Sequence, residues 1–501
     1  MHKSIRWFFT LLSTNYNITM TAKGDYKMEK DKRSGLGLFS LTALVITSSI
    51  GAGIFNISAD LASGAAAGPA IIAWIIVGIG VLMLSLSLNN ILIKKPELNG
   101  IFSYAEDGFG KFGGFISGWG YWLSAWLGNV AFATMLMSTL SYFFPVFGNG
   151  HNIPSIICAS IFMWSLTFIV NRGVEEAAVM NTVVTIFKLI PIFLFIVIGI
   201  IAFKVDLFTY HFWGNISTNF NLSDIFVQVK SCMMVLMWVF VGIEGAAMLS
   251  SRANKKSEAG RATIIGLAGL FIIYILASII PYGIMSRDEL SKLATPSMAY
   301  ILKDVVGPWG AAFINIGLII SISGAWLSWT MLPSETTLLM AREKLLPKIF
   351  GKVNKAGSPT FSLIITASLI QLFIFTFLFT DKAYQFAYSL CTASILICYL
   401  FVGMYQFKIS YINRHEKGEI KQIIIGLITV IFEIWAIIAS GLNFTLLCLI
   451  AYIPGIAFFA MARKENGEKT LLTKTQFILT ALIVIGAIYV IYQLALGKIT
   501  I

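Results

Sequence analysis

Two short motifs interrupt otherwise unbroken apolar runs of this sequence: Ser48-Ser49-Ile50-Gly51-Ala52-Gly53-Ile54-Phe55 and Trp238-Val239-Phe240-Val241-Gly242-Ile243-Glu244-Gly245. Each glycine weakens a helix by about 1 kcal/mol against alanine. Both runs are therefore expected to open in the middle. An opened helix leaves N–H groups unpaired at the start of one half, where a carboxylate is attracted, and C=O groups at the end of the other, where an ammonium donates. An α-amino acid carries both groups. At membrane depth such backbone survives only where it lines a cavity or is buried in protein, so a binding site is the economical reading of the pair. Taken alone, the first motif is also explained by close helix packing across small residues. Its recurrence five spans later points to a carrier built from inverted repeats, with the site near the midplane.

Glu244 and Lys188 stand in apolar surroundings, where a charge near a helix centre costs about 3 kcal/mol on the lenient insertion scale. Glu244 adjoins the second motif and is placed to take up and release a proton as access alternates between the two sides; the alternative is a structural acid hydrogen-bonded across helices. Lys188, in Thr185-Ile186-Phe187-Lys188-Leu189, is either a fixed cation bracing the first broken helix or a side chain that snorkels to the interface. Glu433 has no evident partner and stays unassigned. Trp238 lies four residues before Gly242, and Trp329 precedes Thr330. A tryptophan face stacks on a guanidinium or ammonium for about 0.5–2 kcal/mol. Asn129, in Trp126-Leu127-Gly128-Asn129, is a neutral polar group suited to the end of a cationic side chain or, equally, to a neighbouring helix.

The elements that must hold these residues are membrane helices. Of the 501 residues, 57% are hydrophobic and 12% charged, with a mean hydropathy of +0.82, against roughly 25% charge in soluble proteins. A soluble globular protein is ruled out, and so is an outer-membrane barrel, because the apolar runs are continuous rather than alternating. Thirteen spans are expected, near 37–60, 68–93, 113–144, 153–171, 178–203, 225–250, 262–285, 309–341, 360–380, 383–407, 421–440, 443–462 and 475–496. With the N-terminus inside, Lys94, Lys95, Arg252, Lys255, Lys256, Arg261, Lys344 and Lys348 face the cytoplasm, while 204–224 and 286–308 carry few or balanced charges. The C-terminus then lies outside. The net charge of +12 belongs to these loops and is no sign of a nucleic-acid partner. The five cysteines sit in apolar runs without metal or redox spacing, and the four histidines fall near or outside the membrane boundaries. No metal, no cofactor and no enzyme activity are expected. Residues 1–35 read as a cytoplasmic tail; Met28 is expected as the native start, with 1–27 an upstream extension of the reading frame.

Ordered along the chain, several motifs resemble the amino acid/polyamine/organocation superfamily, and within it the basic amino acid/polyamine antiporters. They are Gly51-Ala52-Gly53-Ile54-Phe55, Pro96-Glu97-Leu98-Asn99-Gly100 followed by Tyr104, Gly120-Tyr121-Trp122 leading to Trp126-Leu127-Gly128-Asn129, Trp238 to Gly245, and Trp329-Thr330-Met331-Leu332 with Leu346-Pro347 downstream. The resemblance covers roughly residues 36–462. It is strongest to the arginine/ornithine antiporters. It implies an all-α polytopic membrane protein with two inverted five-helix repeats (spans 1–5 and 6–10, residues 36–407) and about three added C-terminal helices (408–501). Alternating access would come from a bundle rocking against a scaffold.

Carried over by motif, the resemblance implies that the backbone of Ser49, Ala52 and Gly53, with the carbonyls of Trp238 and Val241, holds the α-carboxylate and α-ammonium. Trp238 would cover the side chain and Trp329 would form a middle gate, with Tyr121 and Glu244 as the gate toward the cytoplasm. Asn129 matches a side-chain contact from span 3, and Ser124 and Ala125 match the same wall. Lys188 resembles a lysine that stands where sodium-coupled relatives bind their ion. One position departs: Ala52 replaces a serine of the arginine/agmatine exchangers, so a hydroxyl contact is lost there. Ser389, Thr392 and Ser394 are the polar candidates of span 10. The expected activity is arginine/ornithine antiport in the cell membrane; histidine/histamine or other amine exchange and proton-coupled symport are the alternatives. The partners implied are a cationic amino acid or amine, the lipid bilayer and, as an open assembly state, a homodimer.

Overall fold

The computed structural model describes residues 37–501 apart from 149, 215–219, 249–252, 379–381, 497 and 499–501, together with 16–20 and 26–30. Most of the expected N-terminal extension lies outside the described residues. What is described of the tail is an antiparallel hairpin, Tyr16–Met20 with Tyr26–Lys30, Tyr16 facing Lys30 and Met20 facing Tyr26.

The spans themselves are helices. Span 1 is split into Leu38–Ser49 and Ile57–Gly64. Spans 2 to 5 are Ala67–Lys94, Ile101–Ser141, Ile153–Arg172 and Val174–Ala202. Span 6 is split again, into Leu222–Phe240 and Gly245–Met248. Spans 7 to 10 are Lys256–Ile279, Pro308–Arg342, Thr360–Ile374 and Ala383–Ile412. Spans 11 to 13 are Glu419–Ala439, Leu442–Glu465 and Lys474–Ala495. Among the described residues, eleven helices are long and apolar enough to cross a membrane. The other two expected spans are the first, cut into pieces of 12 and 8 residues, and the fifth, whose described apolar stretch is Phe187–Ala202.

Helix ends follow local chemistry. The Asn152 side chain accepts from the Ser155 N–H to start span 4, and Asn221 does the same for span 6 from Ser223 and Asp224. Thr473 and Gln476 form a reciprocal capping box on span 13. Span 3 starts at Ile101, a dozen residues before the apolar run expected at 113, and carries a non-helical residue at Gly110 (φ 78°). The early part holds Glu106, Asp107 and Lys111, so hydropathy alone misses it. It is tied to the end of span 10, where Tyr405 donates to Asp107 and Lys408 to the Gly108 carbonyl.

Packing repeats with a period of five spans. Span 3 lies against span 10 as span 8 lies against span 5; span 2 meets span 6 as span 7 meets span 1; and span 1 meets span 5 as span 6 meets span 10. Exchanging each span with the one five places on leaves these pairings unchanged. An odd number of helices per unit makes the second unit upside down relative to the first, which is the architecture of an inverted repeat. Spans 11 and 12 add to spans 2, 3 and 10 on one side.

Small residues allow these approaches, as expected where lipid offers no hydrophobic drive between helices. A Cβ on Gly426 would stand 2.6 Å from the Phe407 backbone nitrogen, and one on Gly120 would stand 2.4 Å from the Tyr452 hydroxyl. Backbone has no rotamer to escape into. Gly426→Val is therefore expected to lower the thermal unfolding midpoint in detergent by the equivalent of about 1–3 kcal/mol, the usual cost of overpacking; an unchanged midpoint would refute this contact between spans 10 and 11.

Candidate functional site

The first helix stops at Ser49, because Ile50 adopts ψ 89°, and the chain passes through a turn at Gly53–Phe55 before helix resumes at Ile57. In span 6, helix ends at Phe240 and Gly242 takes φ 109°, a left-handed conformation natural only to glycine. The two openings touch. Ser48 Oγ donates within 2.7 Å of the Gly242 carbonyl, and a Cβ on Gly242 would lie 2.5 Å from the Ser48 carbonyl oxygen.

Opening span 1 frees carbonyls that need donors in a medium without water. Three of them take donors from other helices: Trp329 Nε1 donates to the Ser48 carbonyl (3.0 Å), Lys188 Nζ to Ile50 (2.5 Å) and Ser321 Oγ to Gly51 (3.2 Å), while the Gly51 N–H closes on Ser49. The N–H side is different. Among the described residues the N–H groups of Ala52 and Gly53 meet no acceptor, and the Val241 carbonyl meets no donor. These are the groups that a zwitterionic carboxylate and ammonium would pair with.

Ser48, Ser49, Gly51, Ala52, Gly53, Phe132, Trp238, Val239, Val241 and Trp329 enclose a cavity of about 10 Å³ there, the size of one water. Aromatic groups fill the rest. Phe132 closes on Gly51, where a Cβ would lie 2.7 Å from its ring, and the Trp238 indole closes on Gly53, where a Cβ would lie 2.8 Å from Nε1. Trp238 is itself stacked on Tyr388 of span 10, with centroids 5.9 Å apart at 24°. An amino acid enters only if these rings withdraw.

Of the residues singled out in the sequence, Ser49, Ala52, Gly53, Trp238, Val241 and Trp329 thus line one cavity. Asn129 does not; its amide donates to the Trp329 carbonyl (3.0 Å), fixing the backbone of that tryptophan. Ser124 lies 3.1 Å from Cys391 Sγ, and it and Ala125 are buried beside span 10, off the cavity. Glu244 is fully buried; one carboxyl oxygen accepts from the Gly242 N–H (3.1 Å) and from the Tyr399 hydroxyl (2.5 Å). Tyr121 is buried within electrostatic range of Glu244, its hydroxyl without a hydrogen-bond partner among the described residues. Thr392 bonds back to its own helix at the Tyr388 carbonyl and Ser394 turns to Cys448, so neither reaches the cavity; Ser389 is buried off the lining. Glu433 is buried on span 11, off the cavity lining but within electrostatic range of Tyr399.

Phe132, Val239, Tyr388 and Tyr399 were not legible as site residues. A phenylalanine among 39, or a tyrosine among 17, carries no signal until the fold sets it against a broken helix. Ser48 had one: it precedes the glycine motif by three residues.

The sequence profile described as amino acid permease matches residues 36–488. The chain belongs to the amino acid permease family. Among its relatives, a protein of Latilactobacillus sakei named arginine/ornithine antiporter is 60% identical over 473 residues, covering 94% of this chain and 100% of the relative. A Pseudomonas aeruginosa protein of the same name is 40% identical over 484 residues, with 94% and 100% covered. A Chlamydia caviae protein named arginine/agmatine antiporter is 38% identical over 469 residues, with 91% and 96% covered. This permease is accordingly a multi-pass membrane transporter with helical spans, and no enzyme.

Two substitutions test the geometry. Gly242→Ala forces a side chain into the left-handed region and against the Ser48 carbonyl, so a loss of at least about 1 kcal/mol is expected in detergent unfolding; wild-type stability would mean the openings do not touch. Lys188→Met, which strips the Ile50 carbonyl of its donor, is expected to lower stability by about 1–3 kcal/mol, an effect absent if the lysine reaches the interface instead.

Proposed function

We infer that this permease exchanges arginine for ornithine across the cell membrane by alternating access, with its N-terminus in the cytoplasm. One observation carries the reading: two opened helices meet where unpaired N–H groups of Ala52 and Gly53 and the unpaired carbonyl of Val241 face one cavity. That polarity fits the head group of an α-amino acid. The names of the relatives supply the side chain, and the charged loops support the orientation. Arginine and ornithine are both monocations at neutral pH, so their exchange moves no net charge. Residues 36–407 form the transport core in this reading, and 408–501 add helices outside it.

The two closures divide the work. Trp238 stacked on Tyr388 bars the outer side, and Tyr121, Glu244 and Tyr399 bar the cytoplasmic side around the second opening. Trp329 stands between, its indole on the first opening. Lys188 supplies a built-in cation at the Ile50 carbonyl, so no sodium ion is needed there. The hydroxyl missing at Ala52 leaves the carboxylate to backbone N–H groups and to Ser48 or Ser49.

Labelled arginine is expected to enter purified proteoliposomes only when they hold ornithine, at a rate indifferent to an imposed membrane potential. Uptake into empty vesicles driven by a proton gradient would replace exchange with symport. Histidine uptake driven by internal histamine would keep the mechanism and change the cargo. Glu244→Gln is expected to keep arginine binding within a few-fold while altering the pH profile of exchange; an unaltered profile removes Glu244 from the gate. Trp329→Ala should slow turnover by roughly ten- to a hundredfold, the scale of one lost charge-free gate contact plus packing, and full activity would return that indole to a packing role.

A further inference from the structure

Asp60 belongs to the second half of span 1, one turn beyond the opening. Its Oδ1 accepts from the Asn56 amide (2.9 Å), and Asn56 is itself locked, its Oδ1 accepting from the Ser297 N–H (3.0 Å). The carboxylate is thereby held in one orientation. Its second oxygen, Oδ2, is out of contact with solvent and meets no hydrogen-bond donor among the described residues. Placement in the first turn of a helix favours a negative charge there, but it does not explain what the free oxygen faces.

It faces span 10. The carboxylate lies within electrostatic range of the hydroxyls of both Tyr384 and Tyr388. Tyr384 is only 4% exposed, and its hydroxyl looks toward the Trp238 indole nitrogen without either group closing a well-formed hydrogen bond. The two tyrosine rings meet edge to face, with centroids 5.2 Å apart, and Tyr388 continues the stack onto Trp238. A carboxylate with one unpaired oxygen thus lies within electrostatic range of two tyrosine hydroxyls that belong to the aromatic stack over the cavity. The set carries a formal negative charge, at Asp60, and its tyrosine hydroxyls accept as well as donate. The ligand that completes it is an organic monocation with several N–H groups, such as a guanidinium or primary ammonium, which combines charge-assisted hydrogen bonds with cation–π contact.

We propose that Asp60, Tyr384 and Tyr388 form a first recognition site for the cationic side chain of the incoming amino acid, on the outer side of Trp238, separate from the head-group site at the two openings. The proposal rests on the exchange and the orientation inferred above. Engagement of the cation by Tyr388 competes with its stacking on Trp238, so capture of the correct cargo loosens the cover that must withdraw. Neutral amino acids of the same shape gain nothing from the site.

The test uses the full chain in vesicles of defined orientation loaded with ornithine, with labelled arginine offered from either face and citrulline, the neutral isostere, as competitor. Asp60→Asn is expected to raise the KM for arginine at the outer face by roughly ten- to a hundredfold, the scale of one lost charge-assisted contact, and to erase discrimination against citrulline there. The KM at the cytoplasmic face and the maximal rate should stay within about twofold of wild type, a difference small beside the free energy of one such contact. Tyr384→Phe, which keeps the ring, should reproduce a smaller rise and serves as the readout if the aspartate variant fails to insert. An unchanged outer KM in folded protein, or equal loss at both faces, overturns the site. Failure of the exchange reading has another signature: wild-type vesicles that take up arginine without internal ornithine overturn exchange, while the effect of Asp60→Asn on the outer KM still decides this proposal.

Discussion

Every polar group of a backbone that crosses lipid must find a partner within the protein, and the structure of this permease is organised around one deliberate violation of helical self-sufficiency. Span 1 opens at Ser49. Its freed carbonyls draw donors from two other helices, Trp329 and Ser321 from span 8 and Lys188 from span 5. Through that requirement, a local defect of a few residues dictates which helices must sit around it. The second opening, at Gly242, is held against the first by Ser48, so the two defects support each other and are buried together.

The division between satisfied carbonyls and unsatisfied N–H groups gives the site its polarity. The carbonyls of Ser48, Ile50 and Gly51 are occupied by side chains and that of Ser49 by the Gly51 N–H, whereas the N–H groups of Ala52 and Gly53 meet no acceptor among the described residues. A single family of interactions thus both stabilises the opening and selects what enters it. The closeness of Phe132 to Gly51 and of Trp238 to Gly53 shows why these positions are glycine: their missing side chains are where the rings pack over the cavity.

How much of this was legible in the sequence depended on rarity. A glycine pair in a spanning run, a buried acid and a buried lysine are unusual enough in a membrane to announce a site, and they mark Gly53, Gly242, Glu244 and Lys188 before any fold is known. Hydropathy also marks the spans, because apolar length is a strong signal, yet it places span 3 too late, since the helical segment from Ile101 carries Glu106, Asp107 and Lys111. Common residues give no such warning. Phe132, Tyr388 and Tyr399 acquire their roles only through helix pairing, and the polar residues picked out in span 10, Thr392 and Ser394, turn out to face their own helix and span 12. Polarity signals a need for a partner and does not tell which partner meets it.

The hydrogen bond from the Trp329 indole to the Ser48 carbonyl has a kinetic consequence. Any rearrangement that swings span 1 away from span 8 strips that carbonyl of its donor, at a cost of several kcal/mol in a dry interior. In the exchange proposed above, an ammonium group in the cavity would offer its own protons to the same oxygen. An unloaded carrier would have none, and its return would be correspondingly slow. On that proposal, obligatory counter-traffic would need no separate lock or signal, because the penalty for returning empty would lie in one carbonyl group.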